Sequence, residues 1–301
     1  MRAIVTGGAG FIGSHVADAL LGRGDEVLVV DNLASGRREN IPAGADFEEL
    51  DIRDAGLRAA FDSFRPEVCF HLAAQASVTV SVERPEEDAD VNVVGTISVL
   101  EAAQPRATHV VFSSTGGAIY GECDGPAPET AERRPISPYG TSKLAGEEYL
   151  ALYNRLYDTG HVAVRYANVY GPRQDTHGEA GVVAIFLGTL AEGGRPRIFG
   201  DGLQTRDYAY VADVVTATLA AAETRGGVFN VGTGRETSVV DLYEACRRVA
   251  GSEVEAEFAE LRAGEVRRSV IDPALAGREL RWRPQWSLED GLRATWEWVT
   301  A

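Results

Sequence analysis

Short apolar runs alternate with longer segments of helical periodicity along the first two thirds of the chain. The apolar run of residues 2 to 6 precedes a glycine-rich turn and a helical pattern from Ser14 to Leu21. Further strand-like runs are EVLVVDN, DFEEL, EVCFHLAA, THVVFSS, HVAVRYA and GVFNVG, and helical patterns such as residues 89 to 103 and 140 to 157 lie between them. This alternation predicts an α/β fold built on a doubly wound parallel sheet.

The glycine-rich turn has the spacing of a dinucleotide-binding motif. Gly7, Gly10 and Gly13 fit G-x-x-G-x-x-G, and Gly8 with the last two fits G-x-G-x-x-G equally well. Either spacing lets the backbone approach a pyrophosphate and points the N-terminus of the following helix at it. The strand, glycine turn and helix together predict a Rossmann-type sheet.

The second apolar run ends in Asp31, which lies 18 residues after Gly13. An acidic residue roughly 20 positions after the glycines binds the adenosine ribose hydroxyls in such folds. A carboxylate there repels a 2'-phosphate, which favours NAD over NADP. Arg37 and Arg38 lie close by and keep NADP open as an alternative.

Small and hydroxyl residues follow two of the predicted strands. Ligands bind beyond the carboxyl ends of the strands in a parallel α/β sheet. We therefore expect one crevice to be lined by Ala73, Ala74, Ser113, Ser114 and Thr115.

The strict alternation loosens after residue 168, where Gly and Pro punctuate YGPRQ, GGRPRIFGDG and WRPQW. We interpret this change as a smaller α/β substrate lobe. The predicted division assigns residues 1–168 and 203–231 to the Rossmann domain, and residues 169–202 and 232–301 to the lobe.

The composition is that of a globular protein, with 45% hydrophobic and 25% charged residues among 301. A net charge of -16 would repel nucleic acids and anionic lipid surfaces, so neither is an expected partner. The start of the chain lacks a secretory pattern and no run of 18 apolar residues follows, which predicts a cytoplasmic location. Cys69, Cys123 and Cys246 are widely spaced, which predicts free thiols and no metal site.

Lys143 is the only lysine of the chain, and the other 28 basic residues are arginines. It lies four residues after Tyr139, so the two side chains share one helix face. Arginine supplies charge as well as lysine does, but it lacks a compact ammonium with three rotatable donors. The pattern predicts that Lys143 lowers the pKa of Tyr139 and hydrogen-bonds the nicotinamide ribose.

Eleven segments, in order and over essentially the whole chain, carry a family resemblance. They are TGGAGFIGSH, DNLASG, LDIRD, HLAAQASV, VNVVGT, SSTGGAIYG, SPYGTSKLAGE, RYANVYGPRQ, FGDGLQTRDYAYVADV, FNVGTG and RAGEVRRSVID. With these motifs the chain resembles the extended short-chain dehydrogenase/reductases of the NAD-dependent epimerase/dehydratase family. Within that family it is most similar to the UDP-glucose (UDP-galactose) 4-epimerases.

The resemblance implies an isomerase that interconverts UDP-glucose and UDP-galactose through a transient 4-keto sugar. In the family, NAD accepts a hydride from C4 and returns it to the opposite face while a tyrosine exchanges the proton of the 4-hydroxyl. Tyr139 and Lys143 match the catalytic pair, with Thr115 as the hydroxyl partner. Ser113 and Ser114 stay open for that third role, because counting back from Tyr120 places a glycine where many relatives have the hydroxyl.

The resemblance also implies two sets of binding residues. The residues matched to the NAD site are Gly7, Gly10, Phe11, Ile12, Gly13, Asp31, Asn32, Asp51, Ile52, Leu72, Ala73, Ala74, Gln75, Asn92, Ser113, Tyr139, Lys143 and Tyr166. Those matched to the UDP-sugar site are Thr115, Tyr139, Asn168, Phe199, Arg206, Arg262, Glu265 and Ser269.

Two further expectations come from family members. Ser269 lies where a bulky tyrosine of some relatives excludes N-acetylated sugars, so we expect UDP-N-acetylglucosamine to be accepted as well. Family dimers pair two helices into a four-helix bundle, which predicts a homodimer through residues 89–103 and 140–157. Leu144, Tyr149 and Leu152 are the candidate apolar contacts.

Three alternatives come from the same fold. Nucleotide-sugar 4,6-dehydratases carry an Asp-Glu pair after the catalytic threonine, and UDP-glucuronate decarboxylases carry a glutamate there. Gly116 and Gly117 occupy those positions here, and glycine transfers no proton. A non-catalytic NAD-binding sensor typically loses the tyrosine or the lysine, and this chain keeps both. The hexose and the pathway stay open.

Overall fold

A computed structural model describes residues 1–176, 181–260 and 266–301 of the protein. Its strands are β1 (Arg2–Thr6), β2 (Glu26–Asp31), β3 (Asp46–Glu49), β4 (Val68–His71), β5 (His109–Thr115), β6 (Val162–Tyr166), β7 (Asn168–Tyr170), β8 (Arg197–Phe199), β9 (Thr205–Arg206), β10 (Tyr208–Tyr210), β11 (Val228–Val231), β12 (Thr237–Ser238), β13 (Glu257–Ala259) and β14 (Arg268–Ser269). Its α-helices are α1 (Phe11–Gly22), α2 (Gly56–Phe64), α3 (Val78–Glu83), α4 (Pro85–Ala89), α5 (Gly95–Ala103), α6 (Gly116–Ile119), α7 (Pro138–Tyr157), α8 (Val182–Ala191), α9 (Val211–Ala221), α10 (Val239–Ala250), α11 (Ala274–Glu279) and α12 (Leu288–Val299). Two 3₁₀ turns lie at Arg38–Asn40 and Gln104–Arg106.

A seven-stranded parallel sheet forms the centre, in the order β11-β6-β5-β4-β1-β2-β3. Successive side chains of a strand point to opposite faces. Ala3 and Val5 of β1 therefore join one hydrophobic cluster, with α1 and α9, whereas Ile4 joins the other, with α2, α5 and α7. The sheet lies between two helical layers, and the predicted doubly wound Rossmann-type fold is confirmed.

Helix α7 brings the Tyr139 and Lys143 pair to the sheet. The Ser137 hydroxyl caps it by accepting a hydrogen bond from the Gly140 amide, and Pro138 takes the first helical position. The helix thus begins two residues before the predicted start. A Cβ atom at Gly146 would lie only 2.7 Å from the Phe112 ring, so this glycine lets α7 approach β5 closely.

The segment of residues 89–103, predicted to be helical, is helical throughout but is not a regular α-helix along its whole length. Helix α4 ends at Ala89, a π-helical turn covers Asp90–Val94, and α5 begins at Gly95. Such turns are rare and frequently lie at functional sites. This one contains Asn92, which is buried and faces α7.

The remaining strands form small sheets that are separate from the central sheet. The pairs are β10-β7 and β13-β8, and the triplet is β12-β9-β14. Helices α8, α10 and α12 pack on one another in this part of the chain. Strand β11 returns to the central sheet beside β6.

Two properties of the described segments bear on the sequence expectations. No helix in them is both long and apolar enough to cross a membrane. Cys69, Cys123 and Cys246 are free thiols.

Candidate active site

Two glycines of the first turn leave room that any side chain would fill. Gly7 has a φ of +71°, and a Cβ atom there would lie 2.6 Å from the Ala73 amide nitrogen. A Cβ atom at Gly13 would lie 2.1 Å from the Gly7 carbonyl oxygen, where α1 crosses the turn. Gly7, Gly10 and Gly13 also line the crevice beside the turn, where a pyrophosphate would meet their backbone.

This crevice lies at the carboxyl ends of the central strands and has a volume of about 870 Å³. It is lined by the glycine turn, the end of β2, the segment after β4 and the start of α7. Every residue matched to the NAD site lines it except Asn92, which lies behind the wall and accepts a hydrogen bond from the Gln75 amide on Oδ1. The structure thus gathers residues that are widely separated in the sequence.

Asp31 ends β2 with its carboxylate held in place. Oδ2 accepts a hydrogen bond of 3.0 Å from the Ala9 amide, and Oδ1 accepts one of 2.8 Å from the Leu33 amide. Gly36 lies against this carboxylate, since a Cβ atom there would be 2.8 Å from Oδ1. A fixed carboxylate at this edge suits two ribose hydroxyls and repels a phosphate.

The neighbouring arginines are paired with acidic groups. Arg38 lies 2.5 Å from the Glu49 carboxylate and places its guanidinium 4.8 Å from the Phe47 ring centroid. Arg37 lines the crevice but has Glu39 at 3.8 Å and Asp175 at 3.6 Å. These carboxylates offset the charge that a 2'-phosphate would need, which favours NAD.

An ion-paired cluster closes the far end of the crevice. Arg53 donates to both carboxylate oxygens of Asp51, at 2.8 Å and 2.7 Å, and also to Asp90. Asn32 donates to Asp51 as well. These hydrogen bonds hold the pKa of Asp51 well below its usual range, so this carboxylate stays ionised.

Tyr139, Lys143 and Thr115 meet at the opposite end of the crevice. Lys143 is 3% exposed and donates a hydrogen bond of 3.0 Å from Nζ to the Ser113 carbonyl oxygen. Tyr139 is half-buried, and the Thr115 side chain beside it acts to lower its pKa. Tyr139 and Lys143 both line the crevice, which agrees with the prediction that they share one helix face.

The predicted effect of Lys143 on the pKa of Tyr139 is not found in this structure. Burial and, second to it, the Asp88 carboxylate raise the pKa of Tyr139 to about 12, and the Thr115 side chain opposes both. Burial lowers the pKa of Lys143 to about 8, against the carboxylates of Asp88 and Glu147. The reason is geometric, because the ammonium is directed at the Ser113 carbonyl oxygen.

The three candidate hydroxyls of β5 differ in direction. Ser114 is buried and donates a hydrogen bond of 2.5 Å to Glu147 of α7. Thr115 is two residues from Ser113 and shares its face of the strand. Thr115 is the one whose side chain acts on the pKa of Tyr139, and this supports it over Ser114 as the proton partner.

A buried ion pair behind this site escaped the sequence analysis. Arg165 of β6 contacts the Glu147 carboxylate at 2.6 Å, and both side chains are almost fully buried. Arg165 also donates to the Tyr120 hydroxyl at 2.6 Å. The signal was the four-residue spacing that puts Glu147 on the same face of α7 as Lys143.

Asp207, in the TRDY segment, is a second residue that sequence reasoning missed. Its buried carboxylate accepts hydrogen bonds from the Thr233 amide, the Thr233 hydroxyl and the Gly234 amide. Its carbonyl oxygen accepts from the Asn168 amide and side chain. Burial raises the pKa of Asp207, but its hydrogen bonds oppose this effect. Asp207 thus fixes Asn168 relative to the glycine-rich loop of residues 232–234.

The predicted substrate residues fall into three groups. Thr115, Tyr139 and Asn168 line the crevice. Phe199, Arg206 and Ser269 do not line it within the described part of the chain, although Arg206 and Ser269 are paired across β9 and β14. Arg262 and Glu265 lie outside the described residues.

Several crevice residues were absent from the sequence predictions. The larger ones are Val80, Arg84, Glu87, Tyr170, Arg173, Gln174, Val182 and Tyr208. Arg173 has a φ of +67° and pairs with Asp18 of α1 at 2.6 Å. The Gly-Pro dipeptide before it was the signal for a turn at this position.

Comparisons with known proteins agree with this geometry. Residues 3–232 match the profile of the NAD dependent epimerase/dehydratase family. The UDP-glucose 4-epimerase of Mycolicibacterium smegmatis is 48% identical, over 99% of this chain and 98% of its own. The crystal structure of the Thermotoga maritima UDP-glucose 4-epimerase with UDP-glucose has a TM-score of 0.97, 48% identity and coverage of 99% and 98%. That of the Thermus thermophilus UDP-glucose 4-epimerase complex with NAD has a TM-score of 0.95, 46% identity and coverage of 99% of both chains.

Proposed function

Because the chain belongs to the NAD-dependent epimerase/dehydratase family, we propose that it interconverts UDP-glucose and UDP-galactose by inversion at C4. The observation that carries this proposal is that Thr115, Tyr139 and Lys143 line the crevice together, with Lys143 one helical turn after Tyr139. The family resemblance inferred from the motifs is confirmed.

The cofactor is NAD, and the crevice fits it. The open backbone of Gly7 and Gly13 would accept the pyrophosphate, and Asp31 would hold the adenosine ribose. When bound, NAD supplies a reversible hydride acceptor. Lys143 would hold the nicotinamide ribose.

Side chains of this protein carry out the proton transfer. Tyr139 in its phenolate form takes the proton of the sugar 4-hydroxyl on its phenol oxygen, and the Thr115 hydroxyl beside it shares that proton. Lys143 keeps a positive charge beside Tyr139 and Thr115. When the proton returns to the sugar oxygen, C4 has been inverted and nothing has been consumed.

The residues after Thr115 count against dehydration. A Cβ atom at Gly116 would lie 2.9 Å from the Ile271 side chain, so no side chain fits there without rearrangement. Gly117 lies near Thr115 and Asn168 and brings no acid or base to the sugar. Neither position can eliminate water from a hexose.

The proposed function is tested by incubating the protein and NAD with UDP-glucose, UDP-N-acetylglucosamine or the corresponding uronates. We expect UDP-glucose and UDP-galactose to reach equilibrium without net NADH formation. A 4-keto-6-deoxy product would identify a dehydratase, and a pentose product a decarboxylase. NAD binding without conversion of any sugar would identify a sensor.

Replacing Ser269 by tyrosine should affect UDP-N-acetylglucosamine and UDP-glucose differently as substrates. We propose that Ser269 leaves room for the acetamido group and that UDP-N-acetylglucosamine is epimerised too. Ser269 is buried in β14 beside Arg206. Ser269→Tyr should lower kcat/KM for the acetylated sugar at least ~10-fold more than for UDP-glucose, because overfilling a pocket penalises the larger ligand.

The matched control is Ser269→Ala, which adds no bulk and should keep both activities. Thermal unfolding of each variant separates a substrate effect from overpacking of the strand. A parallel loss of both activities in the tyrosine variant, or a wild type inactive on the acetylated sugar, would contradict the assignment.

We also propose a homodimer through the segment of residues 89–103 and helix α7. Leu144, Tyr149 and Leu152 of α7 are half-buried in the single chain, and Val94 and Leu156 are exposed. Apolar side chains along two adjacent helices suit a four-helix interface. Sedimentation at micromolar concentration should give a dimer.

The dimer prediction is sharpened by charge variants. Leu156→Glu should weaken the dimer, whereas Leu203→Glu, at a similarly exposed leucine outside these helices, should not. A wild type that sediments as a monomer would refute the proposal.

The domain division at residues 168, 203 and 232 and the cytoplasmic location stay predictions.

A further inference from the structure

Asp88 is a buried acidic residue that the family motifs do not contain. It is 1% exposed in α4. Its Oδ1 atom accepts hydrogen bonds of 2.8 Å from the Gln75 side-chain amide and 3.0 Å from that of Asn92. Its Oδ2 atom is equally buried and has no hydrogen-bond partner within the described parts of the chain. A buried carboxylate with one empty oxygen is costly, so its presence calls for a reason.

The residues bonded to Asp88 belong to the wall of the crevice. Gln75 lines the crevice, and its amide N–H donates to Asn92 Oδ1. Asn92 in turn donates to the Gln75 carbonyl oxygen and to the Ser142 hydroxyl of α7. Asp88 therefore anchors a chain of hydrogen bonds from the crevice wall to the residue that precedes Lys143.

The charge of the Asp88 carboxylate acts on Tyr139 and Lys143. Helix α4 packs on α7, and the Asp88 carboxylate raises the pKa of both Tyr139 and Lys143. Glu147 also faces Lys143 from α7, but Arg165 neutralises it.

Two other groups face the pair from the strands. His71 of β4 is buried, and burial and the Lys143 charge lower its pKa to about 3, so it is neutral. Thr115 of β5 contributes a neutral hydrogen bond. Among these groups, Glu147 is paired with Arg165, whereas Asp88 is the acidic residue that forms no ion pair with any described residue.

We propose that Asp88 is a positioning residue of the epimerisation, which holds the Gln75 and Asn92 amides and sets the charge balance of Tyr139 and Lys143. This inference rests on the proposed function of that pair. The carboxylate favours protons on both groups, since charges interact strongly where water is excluded. It keeps Lys143 an ammonium near neutral pH against the effect of burial.

The test is Asp88→Asn, which keeps the shape and one acceptor oxygen but removes the charge. Both macroscopic pKa values of the Tyr139 and Lys143 pair should fall. We expect the pH profile of kcat/KM to move to lower pH by at least ~0.5 unit. The matched control is Asp213→Asn, at a buried aspartate that accepts from the Gln285 and Trp286 amides away from the crevice and should leave the profile in place.

A second readout does not need turnover. The ionisation of Tyr139 is followed at 295 nm as the difference between each protein and its Tyr139→Phe counterpart. Tyr139 should ionise at a lower pH in the asparagine variant. This titration separates the two proposals, because it reports the effect of Asp88 even if the wild type epimerises no sugar.

The conservative variant completes the experiment. Asp88→Glu retains the charge but displaces Gln75 and Asn92, so kcat should fall while the profile keeps its wild-type position. If the asparagine variant does not fold, the glutamate variant decides, and a profile shifted by more than ~0.5 unit overturns the proposal. An asparagine variant with an unmoved profile and an unmoved Tyr139 titration overturns it as well.

Discussion

Tyr139→Phe should lower kcat by at least ~10²-fold, because the phenol oxygen is the proposed site of proton transfer. Phenylalanine keeps the ring, so the start of α7 should stay intact. The variant loses the hydroxyl beside Thr115. The measurement is the rate of UDP-galactose conversion at saturating substrate, with NAD affinity determined separately by fluorescence.

The control for this variant is Tyr153→Phe. Tyr153 belongs to the same helix, and its hydroxyl donates to Glu101 away from the crevice. This control should retain nearly full kcat. A Tyr139→Phe enzyme with more than about a tenth of the wild-type kcat, a barrier increase below about 1.4 kcal/mol, would remove Tyr139 from the proposed role.

Lys143→Arg should nearly abolish turnover although it preserves the charge. The ammonium is 3% exposed, donates to the Ser113 carbonyl oxygen and lies 4.8 Å from the Phe112 ring centroid. A guanidinium is planar and larger, so it would overfill this site and direct its donors elsewhere. Circular dichroism should show an intact fold while kcat falls more than ~10-fold.

Arg133→Lys is the reverse exchange at an exposed site, where the arginine pairs with Glu148 of α7. It should leave kcat unchanged, because exposed ion pairs contribute little. An Lys143→Arg enzyme that keeps more than about a tenth of wild-type kcat would mean that the single lysine is a matter of composition rather than of donor geometry.

The sequence alone determined the central fold and the location of the crevice. Strand and helix periods are local, and the glycines before α1 have a steric requirement that is recognisable from their spacing. The same holds for Tyr139 and Lys143, because a spacing of four puts two residues on one face of a helix wherever that helix packs.

Local spacing was a poorer guide where the backbone departs from regular geometry. The segment of residues 89–103 has helical periodicity throughout, yet it contains a π-helical turn at Asp90–Val94. Nothing in the apolar pattern distinguishes that turn from an α-helix. It is associated with the packing of Asn92 between Gln75 and α7.

Only the tertiary structure decided which hydroxyl meets Tyr139 and how charge is distributed around it. Ser113, Ser114 and Thr115 are equivalent in sequence, and the distinction arises because the Ser114 hydroxyl donates to Glu147, whereas Ser113 and Thr115 lie on the other face of β5. Asp88 comes from a helix about fifty residues before Tyr139, and no pattern links the two. The direction of a pKa shift depends on burial and on neighbours in space, and neither is a property of local sequence.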